Sequence, residues 1–199
     1  MKSIILAVLF AIASSATLAQ MISESEQRTI LRMREEEKMT RDFYLAMNEK
    51  WNQKVFANIA ENESYHMSQI FLLVEKYKLN DPIARTGDER GVYIDSGLQL
   101  EYNELIAAGN VSLKAALKAG AKMEENDIVE LRNGIAGTSS KEIAGTYKYL
   151  LQYSANHLNA LVQNLEKQGV TYQPEFLDKA DYNNIRNNKV AGTEKVISN

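Results

Sequence analysis

Cysteine is absent from the 199-residue chain. Its absence excludes disulfides, a thiolate metal site and anchoring through a lipidated terminal cysteine. Proline occurs twice and glycine ten times. So few breakers favour long helices over many short strands. Neither sign of charge dominates: 23 Lys and Arg stand against 26 Asp and Glu, for a net charge of −3. With no basic block, nucleic acid is not an expected partner. Past the N-terminus no apolar run is long enough to span a bilayer.

What is present begins with a targeting pattern. Lys2 supplies a positive start, Ile4 to Ala13 is apolar, and Ala16-Thr17-Leu18-Ala19 offers small residues for cleavage. Residues 1–19 therefore read as a signal peptide. The mature protein is expected to be exported, most simply to a bacterial periplasm, with no membrane attachment after cleavage. The remaining length suffices for one compact domain with its own core.

Four long helices are predicted. The first opens on the capping box Ser23-x-x-Glu26 and runs to about Trp51. The second spans about Lys54 to Lys78. A break at Asn80-Asp81-Pro82 starts a loop to Gly97, followed by a short helix from Leu98 to about Ala107. This long connection suits a crossover between the ends of a bundle. The third helix runs from near Ser112 to Gly134 or Gly137. The fourth runs from the box Ser139-x-x-Glu142 to about Gln168, where Gly169 stops it. A bundle over 23–169, a short helix from Glu175 to about Arg186 within a 170–187 extension, and a disordered tail over 188–199 complete the chain. The fold class is all-α: an antiparallel four-helix bundle.

Each long helix carries polar residues in the middle of its apolar stripe. Glu63 and His66, at i, i+3, share one face with Phe56, Ile59, Ile70, Leu73 and Tyr77. Glu37 lies on the stripe of Ile30, Met33, Tyr44 and Met47. Glu124 and Asp127 lie between Leu117 and Leu131. Ser154 and His157 lie between Leu150 and Leu161. Both histidines of the chain occupy this layer. By contrast, the clusters from Arg34 to Lys38 and from Asp88 to Arg90 read as solvated surface, and Glu35 and Glu36 fall off the stripe.

Burying an unpaired carboxylate costs several kcal/mol. Four converging carboxylates would repel one another, and at least one would stay protonated. Two divalent cations match the charge of Glu37, Glu63, Glu124 and Asp127, and carboxylate oxygens with neutral imidazoles are suitable ligands. The alternative is a metal-free bundle, with Arg41 or Lys122 neutralising the carboxylates and the histidines hydrogen-bonded in the core. Tyr44 and Tyr147 lie on the same stripes.

This pattern resembles the ferritin-like superfamily of carboxylate-bridged di-iron bundles, and within it the rubrerythrin-like members. There a Glu from each of two helices joins a Glu-x-x-His from each of the other two. Glu37-x-x-x-Arg41-x-x-Tyr44 resembles the first-helix signature, Glu63-x-x-His66 the second, and Glu124-x-x-Asp127 the paired carboxylates of the third. The fourth helix departs from the scheme, with Ser154 where a Glu is expected before His157. Arg34-Glu35-Glu36-Glu37-Lys38, Val55-Phe56-Ala57-Asn58-Ile59 and Asn156-His157-Leu158 are also similar to an uncharacterised bacterial and archaeal family placed in that superfamily. The resemblance implies two iron ions, with manganese or zinc as alternatives. Glu37 and Glu124 would bridge, Glu63 and His66 would hold one ion, and Asp127 and His157 the other. It implies ferrous oxidation or chemistry on oxygen or peroxide. It also implies an external electron donor, because a cysteine-ligated iron module is ruled out. A decayed bundle serving as a binding or structural module, a simple metal buffer and a homodimer stay open.

Overall fold

A computed structural model describes residues 22–187. Residues 1–19, read above as a signal peptide, and those from 188 lie outside the described residues. Among the described residues there are seven helices and no strand: α1 (Glu24–Trp51), α2 (Lys54–Lys76), α3 (Pro82–Thr86), α4 (Ser96–Gly109), α5 (Leu113–Ala136), α6 (Lys141–Lys167) and α7 (Lys179–Arg186). None of these helices is long and apolar enough to cross a membrane.

The capping box at the start of α1 is formed reciprocally. Ser23 N donates to Glu26 Oε2 at 2.8 Å and Glu26 N to Ser23 Oγ at 3.2 Å. Asn52 ends α1 in the left-handed region, φ 48°, and its N–H caps Asn48 O. Two residues later α2 begins and returns along α1. Tyr44 stacks on Phe56, Glu37 meets His66, and Arg34 reaches the Met67 carbonyl, so numbers rise on one helix as they fall on the other. The pair α5 and α6 runs back on itself in the same way, with Gly134 against Tyr147 and Glu124 against His157. Further contacts join α2 to α6 and α1 to α5, so the four long helices enclose one interior. Phe56, Ile59, Ile70, Leu117, Ile128, Leu150 and Leu161 fill it. Large side chains of this kind contribute roughly 1.5–3 kcal/mol each on burial.

The crossover is more ordered than the sequence suggests. The break at Pro82 starts α3, with Asp81 accepting from Ile83 N at 3.1 Å and proline at a position that needs no donor. The α6 cap is Ser140, not Ser139: its Oγ accepts from Ile143 N. The last helix begins at Lys179, not Glu175: Asp178 is its cap, accepting from Asp181 N at 2.8 Å, and the N–H groups of Glu175, Phe176 and Leu177 before it are held by the buried carboxylate of Glu125.

A larger correction concerns Arg34 to Lys38, which are buried and not solvated. The crossover and the start of α4 lie over this side of α1 and hold Arg34, Glu35 and Lys38, while among the described residues the only counter-charge beside Glu36 is Arg32 of its own helix. Arg34 pairs with Asp81. Glu35 accepts from Ile94 N and Asp95 N. Lys38 reaches Asp42 and the Glu89 carbonyl, each at 2.7 Å. Glu36 lies 2.7 Å from Arg32. Asp88 and Arg90 are exposed as expected, paired with Arg41 and Glu49.

Candidate metal centre

Four helices deliver the central polar layer: α1 brings Glu37, α2 brings Glu63 and His66, α5 brings Glu124 and α6 brings His157. All five are at most 7% exposed. The carboxylate of Glu63 lies at the middle. One of its oxygens is 2.8 Å from His66 Nδ1 and the other is 2.8 Å from His157 Nδ1. Glu37 Oε2 lies 3.2 Å from His66 Nδ1, and Glu124 Oε2 lies 3.5 Å from His157 Nδ1. Two triads result, Glu37–Glu63–His66 and Glu63–Glu124–His157. Glu63 is the shared member, whereas the resemblance gives the bridging places to Glu37 and Glu124.

Asp127 stands one turn beyond Glu124, half-buried and outside both triads. It still feels the cluster, since burial and the charges of Glu124, Glu37 and Glu63 push its pKa well above the ordinary carboxylate range. Ser154 Oγ donates to the Leu150 carbonyl of its own helix at 3.3 Å. Tyr44 donates to Glu124 Oε1 at 2.7 Å. Gly120 makes room for that ring, because a Cβ there would sit 3.0 Å from Tyr44 Cε1 and its hydroxyl. The Tyr147 hydroxyl is buried without a partner and bonds to neither triad.

The electrostatics are those of a site short of cations. Burial works against a charged imidazole, but Glu63 and Glu37 outweigh it and raise His66 to about 11. Against the same penalty, Glu124 and Glu63 raise His157 to about 10. Burial and then Glu63 push Glu37 up to about 8. Burial also raises Glu124. For Glu63 burial is overcome by the two histidines, which hold it below the usual range. Protons thus do the neutralising. Neither Arg41 nor Lys122 does so, for Arg41 pairs with Asp42 and Asp88 and Lys122 with Glu175.

The donor set fits a metal on two counts. Within each triad one ligand atom from each residue lies within 4.8 Å of the others. That is close to the span one ion can bridge with oxygen and nitrogen ligands at about 2.0–2.2 Å. In addition, Glu124 Oε2 and His157 Nδ1 are buried without a hydrogen-bond partner, although they face each other and Glu63. Buried ligand atoms that converge without a hydrogen-bond partner are what a cation would occupy.

Residues 26–189 match the family described as an uncharacterized protein domain, DUF2202. The chain belongs to that family. A relative, the uncharacterized protein MJ0754 of Methanocaldococcus jannaschii, is 39% identical over 166 residues, covering 83% of this chain and 89% of the relative. The crystal structure of that hypothetical protein aligns with a TM-score of 0.82 at 38% identity, over 84% of this chain and 95% of the other. That relative therefore shares this helical architecture.

Four neighbours of the centre escape the stripe analysis. Asn62 Nδ2 lies 3.1 Å from His157 Nε2. Tyr65, Tyr149 and Tyr153 gather at His66, with Tyr153 5.3 Å and Tyr149 6.1 Å away between ring centroids. The spacing of Tyr149, Tyr153 and His157, at i, i+4, i+8 on one helix, is the signal that could have found Tyr149 and Tyr153.

Proposed function

We propose that this chain is a ferritin-like four-helix bundle holding a dinuclear metal site, with iron the leading ion and manganese or zinc as alternatives. One observation carries the reading. Two buried carboxylate–imidazole triads share Glu63, and among the described residues no Lys or Arg lies within ion-pair distance of Glu37, Glu63 or Glu124. Oxygen and imidazole donors of this kind suit iron, manganese and zinc. In this reading Glu37 and His66 hold one ion, Glu124 and His157 the other, and Glu63 lies between them. Asp127 supplies a further carboxylate next to the second ion.

A bound pair of ions would supply Lewis acidity and, for iron, electrons for oxidation by oxygen or peroxide. The chain's own residues do the rest. Glu37, Glu63 and Glu124 fix charge where the ions bind. Tyr44 orients Glu124 through its 2.7 Å hydrogen bond. Ser154, turned toward its own helix, leaves the fourth-helix position without a carboxylate, so the second ion keeps room for a small molecule. Electrons beyond those of ferrous iron come from an external donor. Export through residues 1–19 belongs to the same proposal.

Metal analysis of the purified protein, beside Glu37→Ala and His66→Ala, tests it. Wild type is expected to hold iron, manganese or zinc, of which each variant loses about half because Glu37 and His66 belong to one triad only, and to gain thermal stability with the metal and lose it with chelator. A wild-type protein that neither holds nor takes up metal overturns the reading. It would favour a metal-free bundle, for which the direct 2.8 Å contacts of Glu63 with both imidazoles already offer a basis.

A further inference from the structure

The two triads share Glu63 but differ in how their outer members are held. Both histidines turn Nδ1 toward Glu63. In the Glu63–Glu124–His157 triad, both outer members have partners beyond it. Tyr44 donates to Glu124 Oε1 at 2.7 Å, and His157 Nε2 meets the Asn62 carboxamide at 3.1 Å. In the Glu37–Glu63–His66 triad neither has. Outside the triad Glu37 has no hydrogen-bond partner among the described residues, and His66 Nε2 is buried without one. Tyr149 and Tyr153 pack on the His66 ring, but packing does not settle which nitrogen bears the hydrogen.

That difference bears on metal affinity. An imidazole that ligates through Nδ1 carries its hydrogen on Nε2. A partner for that hydrogen fixes the ring and raises its basicity, and losing the partner ordinarily costs about 10–100-fold in affinity. Asn62 can be that partner for His157. Its Nδ2 faces Nε2, and half a turn about Cβ–Cγ puts Oδ1, an acceptor, in the same place. Asn62 also precedes Glu63 on α2, so the group that orients His157 is covalently next to the shared carboxylate. Glu124 is likewise aimed before an ion arrives. Glu37 and His66 must be ordered as their ion binds, and the ligated His66 keeps a buried N–H unpaired.

We propose that the two positions fill in a fixed order: an ion goes first to Glu63, Glu124 and His157, and only then does another go to Glu37 and His66. Asn62 is the positioning residue that sets this order through His157. The Glu37–His66 position is the looser one, from which an ion exchanges. The order rests on the metal reading, and the experiment separates the two.

The chain has two histidines, so protein with isotope-labelled histidine gives two imidazole spectra, assigned with His66→Gln. Metal-stripped protein is titrated with Zn²⁺ alone, which is diamagnetic. Up to one equivalent, Nδ1 of His157 should take the shift of a metal-bound nitrogen while that of His66 does not. The second equivalent should convert His66. Two equivalents bound with both rings converting together, or with His66 first, would overturn the order and leave the metal reading standing. Asn62→Leu keeps the volume and removes the hydrogen bond. Its affinity for the first equivalent should fall about tenfold or more, and the two rings should convert together. Asn62→Asp, which keeps an acceptor for Nε2–H, should restore the order. An Asn62→Leu protein that fills His157 first with wild-type affinity would overturn the role of Asn62. Wild-type protein that binds no Zn²⁺ would overturn the metal reading and the order with it.

Discussion

Tyr44 on α1 donates its phenolic hydrogen to Glu124 on α5 across 2.7 Å of fully buried interior. This bond links two helices and satisfies one oxygen of a carboxylate whose other oxygen has no hydrogen-bond partner. Tyr44→Phe keeps the ring packed on Phe56 and removes only the hydroxyl. Stability to denaturant is expected to fall by roughly 1–3 kcal/mol, the range for stranding a buried polar group. Added metal should restore part of the loss, since the carboxylate regains a partner. A midpoint identical to wild type in the metal-free protein would contradict this.

Glu63 and Glu37 should differ in what they remove. Glu63 belongs to both triads and Glu37 to one. Glu63→Gln is expected to abolish binding of both ions, while Glu37→Gln leaves the position at Glu124 and His157 occupied with about half the metal. Elemental analysis after dialysis against excess metal gives the ratio. Equal losses in the two variants would count against the shared role of Glu63.

The metal-free protein should lose stability as pH rises. His66 and His157 are raised from 6.5 to about 11 and about 10, and Glu37 from 4.5 to about 8. In each case the folded state binds the proton more tightly than the unfolded state does. The resulting stabilisation is complete below the unfolded pKa and is lost as pH climbs through the folded one. Glu63, held low, acts in the opposite sense, but only below about 4.5. Thermal unfolding of chelator-treated protein should therefore show a falling Tm from about pH 5 to pH 10. With metal bound the slope should reverse over neutral pH, because ligation displaces those protons. A flat metal-free profile would refute the assignment of protons to this layer.

Glu125 holds the C-terminal segment. Its buried carboxylate accepts from the Tyr172 hydroxyl and from the N–H groups of Glu175, Phe176 and Leu177. Glu125→Ala strands these donors and is expected to raise amide hydrogen exchange in 172–186 strongly while leaving α1 and α2 protected. Global unfolding without local exchange would show that the segment is integral to the core.

The helices were legible because their signals are local. Ser23 with Glu26, Gly169 past the end of α6, and stripes such as Phe56, Ile59, Ile70 and Leu73 need no knowledge of distant residues. The same stripes carried Glu37, Glu63, His66, Glu124 and His157 into one layer. Reading failed where burial is conferred from afar. Arg34 to Lys38 look like surface because nothing nearby in sequence announces that Asp81, Glu89 and Ile94 will fold over them. The role of Glu125 is silent in the sequence for the same reason, its partners lying some fifty positions later. The bond between Asn62 and His157 spans 95 positions and has no sequence period to reveal it.

The burial of Glu35 has a mechanical consequence for its neighbour. Glu35 is pinned outward by the amides of Ile94 and Asp95, while Glu37, two residues on, reaches inward. The helix between them cannot roll in either direction without tearing one of these attachments. Glu37 is thus mounted on a fixed post, and whatever ion it receives must conform to it. Any adjustment to ion size falls to side-chain torsions or to the opposite wall, where His66 is backed by the rings of Tyr149 and Tyr153.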